Sequence, residues 1–143
     1  MRVRPLRGDD RAAWQPLWDG YLRFYRAELD AATTDRTFAR LSEEGDGLFG
    51  LVAEAEGQLV GFAHVVVHPS TWTTASYAYL EDLYVSGAGR GTGAGRELIE
   101  AVYARADELG ATNVYWHTQE YNGAARSLYD QVGHRTSFVV YER

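Results

Sequence analysis

The chain contains no cysteine, and its 143 residues include only three prolines and one methionine. Without cysteine there is no disulfide and no thiolate metal site, and the four histidines do not form a ligand set, so no metal is expected. All fourteen basic residues are arginine. A Walker phosphate loop, which ends in Gly-Lys-Ser/Thr, is therefore excluded. No run approaches the ~18 apolar residues of a membrane span. The opening "MRVRPLRGDD" has no apolar stretch of the secretory kind, so a cytoplasmic protein without a membrane partner is expected. The net charge of −6 argues against nucleic acid, because neutralising phosphates needs a basic face.

What is present is one core's worth of apolar residues, 45%, with no repeat, low-complexity tract or long linker. A single domain over residues 1–143 is expected. "MRVRPLR" alternates as a strand does. Asp9 or Asp10 can cap a helix carrying Trp14, Leu17, Trp18, Tyr21 and Tyr25 at helical spacing, with Pro16 predicting a kink or a late start. Thr33 or Thr34 can cap a shorter helix through Phe38 and Leu41. "LFGLVAE" and "QLVGFAHVVVH" read as strands joined by a hairpin turn at Ala55-Glu56-Gly57. "YAYLEDLYV" is a further strand, a helix runs from the glycine stretch to Gly110, and "NVYWHT" is a strand. Asn122 opens a helix that Gly133 stops, and "SFVVYE" closes the chain as a strand. The order βααβββαβαβ implies an α/β or α+β domain with a mixed sheet.

"RGTGAGRELI", Arg90 to Ile99, places three glycines where a helix is about to begin. Glycine is a poor helix former, so such a stretch is either a plain turn or a place where something approaches the backbone closely. A strand, a glycine-rich turn and a helix start together hold phosphate well. The first helical N–H groups lack internal partners, and the helix dipole adds partial positive charge. Gly93 and Gly95 would let an anion come close, and Arg90 and Arg96 could add charge-assisted contacts. Gly89, Gly91 and Ala94 nominally meet the dinucleotide pattern. That fold, however, needs a second βαβ half, for which too little chain remains, and an acidic strand end where this chain has His117 and Thr118.

Arg90-x-x-Gly93-x-Gly95, following "EDLYV" and preceding an amphipathic helix, resembles the acyl-CoA motif of the GCN5-related N-acetyltransferases (GNAT). "NGAARSLYDQVG" resembles that superfamily's second CoA motif, and the likeness extends over nearly the whole chain. Within the superfamily the pattern is similar to small bacterial members grouped with the Hpa2-like and spermidine/spermine acetyltransferases. Gly133-His134 departs from the usual Gly-Phe. The short segment that follows suggests that the last strands are compressed or exchanged with a partner, so a homodimer is possible in this reading.

The resemblance implies the GNAT fold: a mixed, mostly antiparallel sheet with about four helices, splayed around acetyl-CoA. Pantetheine would pair with the backbone near Leu83, Tyr84 and Val85. The pyrophosphate would sit on the N–H groups of Arg90, Gly91, Thr92, Gly93, Ala94, Gly95 and Arg96. Asn122, with Ala125 in the next turn, is either a plain helix cap or also a pantetheine contact. Tyr129 is either a core aromatic or the acid that protonates the leaving thiolate. Glu81 is either half of a surface acidic pair with Asp82 or the base that deprotonates the acceptor amine. Strand alternation puts Tyr79, Glu81, Leu83 and Val85 on one face, and Leu80, Asp82 and Tyr84 on the other. In histone-type members the catalytic glutamate matches Tyr79 instead.

Tyr21, Phe24, Tyr25, Glu28 and Asp30 are either a packed helix with a solvated acidic loop or the lining of the acceptor groove. His64 and His68 read as structural. Acidic residues around the acceptor groove would favour a small polyamine-like amine, with Glu28, Asp30, Asp35 and Glu120 adding negative potential. The alternatives are a protein or histone-type lysine acceptor, and a CoA-binding module without catalysis.

Overall fold

The computed structural model describes residues 1–143. Five strands form one sheet in sequential order: β1 (Arg2–Pro5), β2 (Leu48–Ala55), β3 (Gln58–His68), β4 (Ser76–Val85) and β5 (Ala111–Tyr115). β1 to β4 pair antiparallel, and β5 joins β4 in parallel after a helical crossover, as a parallel pair requires. The helices are α1 (Arg11–Phe24), α2 (Ala31–Glu43), α3 (Ala94–Glu108) and α4 (Gly123–Val132). None is long and apolar enough to cross a membrane.

Period-two alternation sends Phe49, Leu51 and Ala53 of β2 and Ala63 and Val65 of β3 to one face, where Leu98, Ile99 and Val102 of α3 cover them. Val52 and Phe62 point to the other face and meet Trp14, Leu17 and Trp18 of α1 and Phe38 and Leu41 of α2. The β2–β3 connection is a two-residue turn, Glu56-Gly57. Both residues have positive φ, 51° and 77°, the geometry that matches strand twist in a tight hairpin.

Local chemistry differs from the sequence expectation in four places. Asp10 does not cap α1 through its side chain. Its carboxylate takes both ends of the buried Arg4 guanidinium, at 2.9 and 3.0 Å, and the Arg7 N–H at 2.7 Å. A charged fork is the stronger partner, and it ties β1 to the turn before α1. The cap of α2 is Asp30, which accepts from the Thr33 N–H at 2.7 Å, rather than Thr33 or Thr34. β5 covers Ala111–Tyr115 and stops before Trp116-His117-Thr118, because the chain leaves β4 there.

The fourth difference is the closing strand. Ser137–Glu142 has β-rich composition but no strand beside it, and an unpaired segment cannot satisfy a ladder. Phe138, Val139, Val140 and Tyr141 are 85%, 74%, 64% and 90% exposed. α1 runs unbroken through Pro16 after a short 3-10 turn at Gly8–Asp10.

Candidate active site

Strand β4 organises the site through two irregularities. Its ladder with β5 ends at Tyr79 opposite Tyr115, so Leu80 to Val85 have no strand on that side. Its ladder with β3 slips between His64 and Val65: Leu80 opposes Val65, Asp82 opposes His64, and Glu81 opposes nothing. Glu81 is thus the extra residue of a β-bulge, a feature that re-aims side chains. The bulge also resets the alternation. Leu80 packs on the α3 face with Leu83 and Val85, whereas Asp82 and Tyr84 turn toward α1. The expected grouping of Leu80 with Asp82 and Tyr84 is corrected accordingly, because a strand with one inserted residue loses its period of two.

Downstream, a 3-10 turn at Gly87–Gly89 and a loop lead into α3. Gly91 and Gly93 have φ of +77° and +85°, and a Cβ on either would meet open space. They are glycine for conformation, and their outer surface is free. Gly93 begins α3 with no side-chain cap, so the first N–H groups of the helix keep their donors. Thr92 turns its hydroxyl onto the Gly89 carbonyl, Arg90 is exposed, and Ala94 is buried under β4. Gly95 has a packing reason for its size besides the one expected. A Cβ there would lie 3.2 Å from Leu128 Cδ2, so it lets α4 approach α3. Arg96 bonds Gln131 of α4.

On α4, Asn122 acts as the N-cap, accepting from the Ala125 N–H at 3.4 Å. Tyr129 packs edge-on against Trp116, with centroids 5.5 Å apart, beside the α3 core. Burial pushes its phenol up to about 12, and Tyr25, just after α1, adds to this. The phenol therefore keeps its proton at neutral pH and can donate it.

On the α1 side of the bulge, four side chains form a hydrogen-bonded chain, buried at Trp14 and His64 and partly buried at Asp82 and Tyr21. The Trp14 indole N–H donates to His64 Nε2 at 3.1 Å. An indole nitrogen only donates, so the hydrogen of the imidazole sits on Nδ1, which faces Asp82 Oδ2 at 2.9 Å. The Tyr21 hydroxyl donates to the other oxygen, Asp82 Oδ1, at 2.7 Å. This fixes both carboxylate oxygens of the residue that follows Glu81. The signal in the sequence was a histidine inside the apolar run "GFAHVVVH", since a buried polar group needs a partner. Its partners come from two other elements, α1 and β4, and spacing alone could not name them.

Trp18, Tyr21, Leu22, Arg40, His64, Glu81 and Asp82 are among the residues lining a groove of about 330 Å³ between α1, α2 and the bulge. Its volume is at the small end of ligand sites. The Glu81 side chain opens into it and has no ionic or hydrogen-bonding partner. Partial desolvation raises its pKa above the ordinary carboxylate value, neighbouring Asp82 raises it further, and Arg40 opposes the shift. Tyr79 stacks on Tyr115 with centroids 4.9 Å apart and faces His117 Nδ1 at 3.3 Å. Tyr25 stands against Tyr21 and exposed Phe24. Glu28 lines an adjoining, broader depression of about 640 Å³ with Asp19, Arg23 and Arg26, which shares Leu22, Ala27 and Leu29 with the groove but no titratable residue. Asp30 is occupied as the α2 cap. His68 bonds the Tyr115 hydroxyl at 2.7 Å, outside the groove.

Comparison with known proteins agrees with this geometry. The Acetyltransferase (GNAT) family model matches residues 14–134. The D-amino-acid N-acetyltransferase HPA3 of Saccharomyces cerevisiae is 39% identical over 143 residues, covering 99% of this chain and 89% of the relative. The uncharacterized N-acetyltransferase YhfO of Bacillus subtilis is 32% identical over 143 residues, covering 99% and 95%. Among solved structures, AAC(6')-Iy in complex with the bisubstrate analogue CoA-S-monomethyl-acetylneamine shares the fold with a TM-score of 0.83. Its identity is 20%, over 99% of this chain and 96% of that one. A five-stranded sheet splayed beyond Tyr79, a bulged β4, an uncapped glycine-led α3 and matches of this extent have one common meaning: the chain belongs to the GNAT family of N-acetyltransferases, and its chemistry is acetyl transfer.

Proposed function

We propose that this chain moves an acetyl group from acetyl-CoA to the primary amine of a small molecule, with Glu81 as general base and Tyr129 as general acid. The observation that carries the reading is the β-bulge. It puts an unpartnered carboxylate of raised pKa into a groove beside the open side of β4. The residues fit acetyl-CoA: Gly91 and Gly93 leave open space, α3 starts uncapped, and β4 from Leu83 to Val85 has a free side. The N–H groups from Arg90 to Arg96 would hold the pyrophosphate, and Leu83, Tyr84, Val85, Asn122 and Ala125 the pantetheine arm. Bound there, it supplies a thioester carbonyl for the amine to attack.

An alkyl amine with a pKa of ~10.4 is protonated at neutral pH and cannot attack until it loses that proton. Glu81 takes it, directly or through a water. The new C–N bond forms as the C–S bond breaks, Tyr129 gives its phenolic proton to the departing sulfur, and the second amine proton is shed by the new amide nitrogen as the phenolate is reprotonated through solvent. Of the tyrosines, Tyr21 lines the groove as an aromatic wall for the acceptor, while Tyr25, which packs on Tyr21, and Tyr79 lie outside its lining. A polyamine-like cation is the acceptor that the acidic residues favour. Among these, however, Asp82 is bonded to His64 and Tyr21, and Glu28 and Asp30 do not line the groove. An amino acid, the acceptor in the name of the yeast relative, is the second reading, and the cation Arg40 in the groove favours it. Two tests apply. Acetyl-CoA at millimolar concentration should raise Tm by mass action, and an unchanged Tm on folded protein overturns cofactor binding. CoA release with pooled small amines should exceed that with basic peptides, and acetylation of peptides alone overturns the small acceptor.

The same reading includes a homodimer. β5 has a strand on one side only, and the exposed Phe138–Tyr141 segment offers β-forming side chains without a ladder. A second copy would supply each with its partner. A dimer by light scattering that becomes a monomer when the chain is ended at Arg135 supports this. A monomeric full-length chain overturns it.

A further inference from the structure

Five titratable side chains line the acceptor groove, and three of them are satisfied within the protein. Tyr21, His64 and Asp82 bond one another. That leaves Glu81 and Arg40, of opposite charge, as the groove's free ionic groups. Arg40 reaches the groove from the last turns of α2, with its side chain 36% exposed. Its guanidinium makes no hydrogen bond to the protein. Nε is buried without a partner. Its one carboxylate neighbour is Asp46, 4.0 Å from Nη1, and Asp46 lies closer to Arg36, at 3.5 Å. The one buried arginine of the chain, Arg4, is by contrast fully engaged by Asp10 and Glu54. An arginine that withholds its planar fork from the protein, on the wall of a binding groove, is arranged to receive an acceptor of matching shape.

We infer that Arg40 binds the carboxylate of the acceptor, so that the substrate class is a free amino acid held with its amine toward Glu81. The inference rests on the acetyl-transfer reading and deepens it. A zwitterion complements both free charges of the groove, whereas a polyamine would bring a cation to Arg40. The small volume suits an amino acid, and the aromatic wall of Trp18 and Tyr21 offers an apolar surface to its side chain. Arg40 is also the charge that opposes the rise in Glu81's pKa, so one residue orients the substrate and helps keep the base ionised.

The experiment is acetyl-CoA-dependent CoA release by the full chain with D- and L-phenylalanine, their methyl esters and amides, and spermidine. Wild type should prefer at least one free acid over its own ester by about 10–100-fold in kcat/KM, the usual worth of a charge-assisted pair. In Arg40→Ala that ratio should collapse toward one, chiefly through KM for the free acid, and Arg40→Lys should restore part of it. Circular dichroism and Tm establish that both variants fold. Equal rates for acids and esters in wild type, or a ratio untouched in Arg40→Ala, overturn the inference. Turnover of spermidine alone overturns it while leaving acetyl transfer intact. If no amine releases CoA, the functional reading itself fails. The carboxylate site is then decided by calorimetry, in which phenylalanine must bind wild type and not Arg40→Ala.

Discussion

Of the thirteen buried side chains packed between the sheet and α3, one, Phe49, is aromatic. On the opposite face, Trp14, Trp18, Phe38 and Phe62 make up half of eight, and His64 is buried among them. Aliphatic side chains carry no polar atom, so the α3 face can be dry and is specified by shape alone. Indole and phenol rings bring an N–H or O–H that must find a partner when buried. Trp14 and Tyr21 use theirs to hold His64 and Asp82, and so the residue next to the candidate base. The candidate base is held from the face that can keep polar groups still, whereas the candidate acid, Tyr129, packs beside the aliphatic face. The aliphatic face also contributes the helix whose N-terminus ends the proposed cofactor turn.

The comparison predicts that damage to the two faces has different consequences. Leu98→Ala, a fully buried aliphatic site, should cost about 2–5 kcal/mol in chemical denaturation. Protein that remains folded should keep its preference among acceptors. A shift in acceptor preference at this site would dissolve the distinction between the faces.

Asp82→Asn should cost less in stability, about 1–3 kcal/mol, because the charge-assisted bonds from His64 and Tyr21 become neutral ones and the tyrosine hydroxyl must turn to accept from the amide. Turnover should nevertheless fall while acetyl-CoA affinity is kept, since the bulge at Glu81 loses its anchor. Denaturation midpoints and steady-state rates on the same preparation check this. Unaltered kcat would reduce the Trp14–His64–Asp82–Tyr21 chain to packing.

The smallest expected change is at the proposed cofactor turn. Gly93→Ala introduces a Cβ into open space but at a φ of +85°, costing about 1–2 kcal/mol. Its effect should appear as weaker acetyl-CoA binding by calorimetry, with the acceptor KM unmoved. Binding as tight as in the wild type would mean that the turn is only a turn.

Much of this was legible in the sequence, because local rules operate there. The strand–glycine–helix order, the hairpin at Glu56-Gly57 and the N-cap at Asn122 follow from backbone chemistry within a few residues. The bulge was not legible, because "YLEDLYV" alternates acceptably until β3 is set beside it, and only the slip against His64 and Val65 makes Glu81 the odd residue. Arg40 was invisible for a related reason. One arginine among fourteen on a polar helix face has no local mark, and its freedom shows only when the partners of the others are known. The final strand was overread, because β-forming composition specifies a strand only where a neighbouring edge can receive it.

The most direct test is the pH dependence of kcat/KM for wild type and Glu81→Gln, with a fixed small amine. The Glu81 pKa is raised, so its ionised form is lost as pH falls through a value above the ordinary carboxylate range. Wild-type activity should therefore decline on the acid side at that higher pH. The variant should lose about 10²–10⁴ in rate, as for a positioned base, and its acid limb should flatten. A variant that turns over like wild type with the same acid limb would contradict the assignment of Glu81 as the base.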